Sequence, residues 1–332
     1  MKKIIKYFCL ALFSLLWVIG CNPTLSREAL ELGLTKDSYR YGDLYRLSNL
    51  AQFKQLTQAC PKKFAGNTPK NNIALYIIGD SFSEKQRIDK NDFGVESYLR
   101  THWADSLETP LDTAKRNILI LETVERHFRE HFAEPVRTLK IRSSSVQNQQ
   151  TASGDESKSW EKILKDSEQA LTDFLFSDNF FLQLKEWKAA LNLYWFGRHN
   201  DQVALSPDGK NILFCWDTDS TRITSCFNPL PDNELSKLIK GVNEAKDHYR
   251  SLGFDEVYLA IIPNKTTVVA REMGTYNHLV ERVQNHSALQ VPIINVWSLF
   301  NQHADEVYAR SDTHWSCYGQ GIWVEKVNEI LK

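Results

Sequence analysis

Ser81, Asp312 and His314 are the residues of this chain whose types and spacing can do chemistry together. A serine hydroxyl becomes a nucleophile when a neighbouring base takes its proton, and a neutral imidazole is the side chain suited to that task near neutral pH. Asp312-Thr313-His314 sets a carboxylate two residues before an imidazole. A carboxylate so placed holds the ring in the tautomer that leaves its other nitrogen free for the serine, and stabilises the imidazolium as it forms. The expected chemistry is acyl transfer through a Ser-His-Asp triad, with Asp80 a neighbour that moves no proton.

The elements around these residues have to position them. Tyr76-Ile77-Ile78-Gly79-Asp80-Ser81-Phe82-Ser83 is an apolar run ending in a turn. Asn72 to Ile78 reads as a buried strand, and Gly79 is expected to give backbone freedom where it stops. Ser81 then stands at the strand's carboxyl end, where the N–H of Ser81 or Phe82 can receive an oxyanion. Further strands are expected over Asn117 to Leu121, Asp255 to Ile262 and Val291 to Val296. A helix begins near Thr123, with Val124 and Phe128 inward. Others run from a cap at Asp232 to Ser251, within Gly274 to Asn285, and from Tyr318 to Leu331 with Ile322, Val327 and Ile330 inward. Strands alternating with helices predict an α/β fold with a mainly parallel sheet covered on both faces, whose active site lies at the strands' carboxyl ends.

Gly79-Asp80-Ser81-Phe82-Ser83 together with Asp312-Thr313-His314-Trp315 resembles the SGNH (GDSL-type) hydrolase superfamily, in particular its alginate O-acetyltransferase-like branch, marked by a D-x-H-W sequence. Leu121-Glu122-Thr123-Val124-Glu125-Arg126 and Pro263-Asn264-Lys265-Thr266-Thr267-Val268 are similar to segments that follow sheet strands in that branch. The resemblance covers Asn71 to about Ile141 and about Asp232 to the end. In the alginate acetylation proteins the D-x-H-W stretch precedes the serine, whereas here it follows. The resemblance implies a three-layer, flavodoxin-like sandwich and an O-acetyltransferase or acetylesterase acting on a polysaccharide, with a membrane-bound acyl-donor protein as a further partner. Read from the residues themselves, the N–H of Phe82 and a side chain from Glu122 to Arg126 or from Asn264-Lys265 are the candidate oxyanion or substrate contacts, with Trp315 beside His314.

The amino terminus carries Lys2, Lys3 and Lys6, then an apolar run from Tyr7 to Gly20. That run is shorter than the ~20 residues a comfortable span takes, so residues 1–20 are expected to be a targeting segment that is removed. Val18-Ile19-Gly20-Cys21 resembles a bacterial lipobox, which makes Cys21 the lipidated residue of a protein anchored to a membrane and facing the periplasm or cell surface; the alternative is a plain secretory signal with an incidental Cys, and either way export is expected. Export favours disulfides among Cys60, Cys215, Cys226 and Cys317. Cys215 and Cys226 flank a segment that reads as strand, turn and strand, which favours that pair, while Cys60 and Cys317 are open between a bridge and buried thiols.

Hydrophobic residues make up 42% of the 332, enough for a substantial core. Of 40 basic residues, three lie in the leader, leaving 37 against 41 acidic, so no basic excess points to nucleic acid. Asp80, Asp312, His314 and Cys317 mix hard and soft ligands and make a poor metal set. No P-loop or GxGxxG occurs, and no cofactor is expected.

The domain expectation is an arm over 21–70 with short helices at Ser26 to Leu34 and Ser48 to Gln58, a core over 71–141 and 228–332, and an insertion over 142–227. The insertion reads as a polar loop from Ser143 to Lys158, helices over Trp160 to Phe174 and Phe180 to Phe196, and a hairpin turning at Ser206-Pro207-Asp208-Gly209-Lys210. Its Tyr194, Trp195, Phe196, Arg198 and His199 are expected either to line an acceptor groove or to be buried as cover. The alternative to an enzyme is an envelope lipoprotein that holds a glycan in the same cleft without turning it over, using aromatics such as Trp103, Trp195, Trp216, Trp297, Trp315 and Trp323.

Overall fold

The computed structural model describes residues 2–32, 36–37, 39–64, 71–142, 167, 170–171 and 179–332. The expected loop from Ser143 to Lys158 and most of the helix expected over Trp160 to Phe174 lie outside them. The helices include α1 (Lys2–Cys21), α2 (Pro23–Glu31), α3 (Asp43–Ser48), α4 (Glu125–His131), α5 (Asn179–Phe196), α6 (Asp232–Ser251) and α7 (Cys317–Ile330). The strands are β1 (Ile73–Gly79), β2 (Ser97–His102), β3 (Leu107–Thr109), β4 (Arg116–Val124), β5 (Leu139–Ile141), β6 (Val203–Leu205), β7 (Ile212–Phe214) and β8 (Glu256–Ile262). They form two compact units, Met1–Thr57 with Val146–Asn200, and Gln58–Ser145 with Asp201–Lys332. The arm thus groups with the first part of the expected insertion, and the β6–β7 hairpin with the core.

In the first unit, α1 starts earlier than the apolar run suggested because Ile4 and Ile5 continue it, and over Lys3–Cys21 it is long and apolar enough to cross a membrane. The cap of α2 is Asn22, whose side chain accepts from Thr24 N–H and Leu25 N–H, so this helix begins before Ser26. Where a helix was expected from Ser48 to Gln58, there is only a 3₁₀ turn at Ala51–Phe53.

The second unit is built on a four-stranded parallel sheet in the order β2-β1-β4-β8. Side chains alternate across it as the strand period requires. Tyr76, Ile78, Leu119, Leu121, Leu259 and Ile261 face Phe128 of α4 and Leu235, Ile239 and Val242 of α6. Leu75, Ile77, Ile118, Ile120, Ala260 and Ile262 face Phe300, Trp323 and Val327. Both faces are covered by helices, giving an α/β arrangement with two cores. The small β6–β7 hairpin is antiparallel, with Gly209 at φ +68° in its turn.

Two strands differ from expectation. Val291 to Val296 makes a single parallel bridge to β8, at Ile293 with Leu259. Pro292 supplies its carbonyl to Leu259 N–H but has no N–H to give, and the ladder stops. The fourth strand is instead β2, an edge strand whose Ser97, Arg100, Thr101 and His102 dilute the apolar signal. Asp232 is the first residue of α6 and Pro231 its cap.

Candidate active site

At the carboxyl end of β1 the chain passes through Asp80 into a 3₁₀ turn at Ser81–Ser83. Within the turn Ser83 N–H donates to the Asp80 carbonyl and Glu84 N–H to that of Ser81, so the turn's own bonds do not use the N–H groups of Ser81 and Phe82. Glu122, at the end of the neighbouring β4, accepts hydrogen bonds from Asp80 N–H at 2.9 Å and Ser83 Oγ at 2.7 Å. Asp80 Oδ2 in turn accepts from Val124 N–H at 2.7 Å, and Arg100 donates to the carbonyls of Gly79 and Asp80. The turn is therefore pinned on both sides of Ser81. Glu122 is fully buried, and burial first, then the Asp80 carboxyl beside it, pushes its pKa up to about 8.

His314 meets this turn from 233 residues further along. Ser81 Oγ lies 2.7 Å from His314 Nε2, and His314 Nδ1 lies 2.6 Å from Asp312 Oδ1. Asp312 Oδ1 also accepts from the His314 backbone N–H at 2.8 Å. Burial alone would raise the Asp312 carboxyl, but the hydrogen bond and charge of His314, with Arg87 nearby, outweigh it and hold it well below the usual carboxylate range. An ionised Asp312 fixes the proton on Nδ1, so Nε2 is free to accept from Ser81.

Several elements aim the His314 loop. Lys265 is buried, and its Nζ donates to the carbonyls of Ala309, Arg310 and Asp312 at 2.6, 2.9 and 3.2 Å. Tyr308 and Trp315 form an antiparallel bridge that closes the loop's base. The Phe82 ring sits 4.8 Å from the His314 ring and edge-on to Trp315 at 5.1 Å, so these two aromatics form a wall under the imidazole. A disulfide from Cys60 to Cys317 ties down the start of α7, three residues past His314.

The expected site residues thus fall into distinct positions. Ser81, His314 and Asp312 come together. Lys265, expected as an oxyanion or substrate contact, spends its three donors on loop carbonyls and acts as a brace. Glu122 is an acceptor under the turn. Arg126 pairs with buried Asp217 at 3.2 Å. Asn264 N–H donates to Glu125 and its Oδ1 accepts from Arg126 N–H, while its buried Nδ2 has no hydrogen-bond partner among the described residues. Trp315 is buried. Arg87 was not singled out by the sequence: its Nη1 donates to the Ser81 carbonyl at 3.1 Å and its Nη2 lies 3.1 Å from His314 Nδ1. Since that nitrogen's proton points to Asp312, Arg87 stands as a cation beside the Asp-His pair. Only its position six residues after Ser81 could have hinted at this.

The favoured disulfide, Cys215 with Cys226, does not form, and both are free thiols. Residues 216–225 are not a hairpin. Cys215–Thr218 is a helical turn, and Asp219 accepts from Thr221 N–H in a tight bend, while Cys226 Sγ points to the Asp217 carbonyl. Of the metal set considered, Cys317 is in a disulfide and Asp80 is turned to Val124 N–H. No protein-family model, curated protein or solved structure matches the chain.

Proposed function

We propose that this protein is an SGNH-type acyl-serine enzyme of the cell envelope that moves or removes O-acetyl groups on a polysaccharide. The observation that carries the reading is the continuous Ser81–His314–Asp312 hydrogen-bond chain at the carboxyl end of a parallel sheet. The motif resemblance supports the SGNH-like fold and the acetyl ester. The membrane-length helix ending at Cys21 supports export and a lipid anchor at that cysteine.

In this reading His314 Nε2 takes the Ser81 proton as Oγ attacks the ester carbonyl carbon. The tetrahedral oxyanion is received by the N–H groups of Ser81 and Phe82. Its collapse breaks the bond to the sugar oxygen, which leaves with the proton from Nε2, and an acyl-serine remains. Water or a second hydroxyl then gives its proton to Nε2 and attacks the acyl carbon, returning Ser81. Water as acceptor makes an acetylesterase; a sugar hydroxyl, with acetyl supplied by a membrane-bound donor protein, makes a transferase.

A serine-directed phosphonate should label the wild type, and Ser81→Ala should abolish labelling. Equal labelling of the variant would remove Ser81 as nucleophile. Mass spectrometry of an acetylated oligosaccharide incubated with the enzyme then separates acetate release from transfer.

A further inference from the structure

The first unit holds a second helix whose apolar side faces outward. In α5, Leu184, Trp187, Leu191, Tyr194 and Trp195 follow at helical spacing and share one stripe. All five are exposed, Trp187 by 67% and Trp195 by 80%. The opposite side of the helix is anchored. Leu182 and Glu186 are buried, with Glu186 accepting from Lys54 Nζ at 2.8 Å and from the Tyr45 hydroxyl. The outward direction of the stripe is therefore set by an ion pair and a hydrogen bond on its far side. The expectation that these aromatics are buried as cover does not hold.

We propose that this stripe of α5 lies in the headgroup region of the lipid bilayer to which the amino-terminal segment ties the chain. Three observations select a bilayer. The same compact unit contains Cys21 and α1, which over Lys3–Cys21 is long and apolar enough to cross a membrane, so whether α1 stays as a span or is removed and Cys21 lipidated, a bilayer is at high effective concentration. The stripe is rich in Trp and Tyr, the residues that settle at the membrane interface, whereas a coiled-coil partner helix would call for Leu, Ile or Val at these positions. α5 is also unsuited to crossing the bilayer itself, because Lys185, Glu186 and Lys188 interrupt its middle. It spans about 27 Å lying flat, a length typical of interfacial helices. Lys188 and, just past its end, Arg198 are exposed and suit anionic headgroups. This inference does not depend on the catalytic reading.

The test uses the full chain reconstituted in vesicles of phosphatidylethanolamine and phosphatidylglycerol, with and without bromine on the acyl chains near the headgroup. Bromine quenches tryptophan by contact. Trp17 lies in α1 and, in the chain that keeps this helix, is removed first, as Trp17→Phe. Quenching in that variant should fall by about half or more when Trp187→Phe and Trp195→Phe are added, because the stripe supplies the interfacial tryptophans. Both substitutions are at exposed positions, and circular dichroism checks that the fold is kept. Equal quenching with and without the two substitutions would overturn the proposal. So would a cross-linked dimer through α5 that persists on dilution with lipid, since the stripe would then be covered by a second copy.

Discussion

The carboxyl of Glu122 occupies the space that a side chain on Gly79 would need: a methyl group there would overlap Glu122 Oε2 and Ser83 Oγ. Gly79 is absent from the residues with positive φ, so the glycine serves close approach and not the backbone freedom read from the sequence. The consequence is that strand end, buried acid and the Ser81 turn form one packed unit. Gly79→Ala should push Glu122 off Asp80 N–H and shift Ser81 from His314. We expect at least about a tenfold loss of kcat on a small acetyl ester and about 1–3 kcal/mol of destabilisation, read by denaturant unfolding. Wild-type kcat in the variant would show that the turn tolerates the shift.

Glu122 also sets a pH dependence. Its folded pKa of about 8 lies above its ordinary 4.5, so between these values the unfolded chain releases a proton that the folded chain keeps. Stability contributed by this group is therefore full below about pH 4.5 and is lost as pH rises through about 8. Burial raises Glu125 as well, to about 7, and its contribution fades over a lower window. Glu122→Gln should flatten the decline above pH 7 and leave that of Glu125. Urea unfolding across this range checks it, and an unchanged slope in Glu122→Gln would refute the assignment.

In the proposed mechanism Asp312 works through His314, to which it is hydrogen-bonded. Asp312→Asn keeps the size of the side chain but removes the charge that fixes Nδ1–H, and should cost about four orders of magnitude in kcat with little change in KM. A loss confined to KM would mean that Asp312 contacts substrate instead.

Lys265→Met should leave three loop carbonyls without their ammonium partner. The expected effect is about 2–4 kcal/mol lost in stability, with kcat reduced as Asp312 and His314 loosen. If binding of an uncleaved ester analogue weakened while stability stayed as in the wild type, Lys265 would be a substrate contact after all.

The Cys60–Cys317 bridge should be mappable by peptide mass spectrometry without reduction. Cys60→Ser should lower stability by about 2–5 kcal/mol, and reductant should lower the wild-type Tm but not that of the double variant Cys60→Ser, Cys317→Ser. Loss of the reductant effect in Cys215→Ser instead would place the bridge elsewhere.

Local pattern was enough to read much of this chain. β1, β4 and β8 are continuous apolar runs because both sheet faces are buried, and α6 and the β6–β7 hairpin announce themselves through period and turn chemistry. Ser81, Asp312 and His314 were legible as types at a strand end and before a helix. What the sequence could not carry was anything fixed by groups meeting from distant positions. β2 is an edge strand with weak alternation, and it counts as a strand only because β1 lies beside it. The bridge of Cys60 to Cys317 spans 257 positions, and no local spacing reports on such a pair. Lys265 and Arg87 look like surface cations in the sequence; folding surrounds one with carbonyls and sets the other against the Asp-His pair. The residue types of the candidate triad were thus present in the one-dimensional string, whereas their hydrogen-bond order and their supports were decided by tertiary contacts, because a hydrogen bond depends on ångström-scale placement that sequence neighbours alone do not impose.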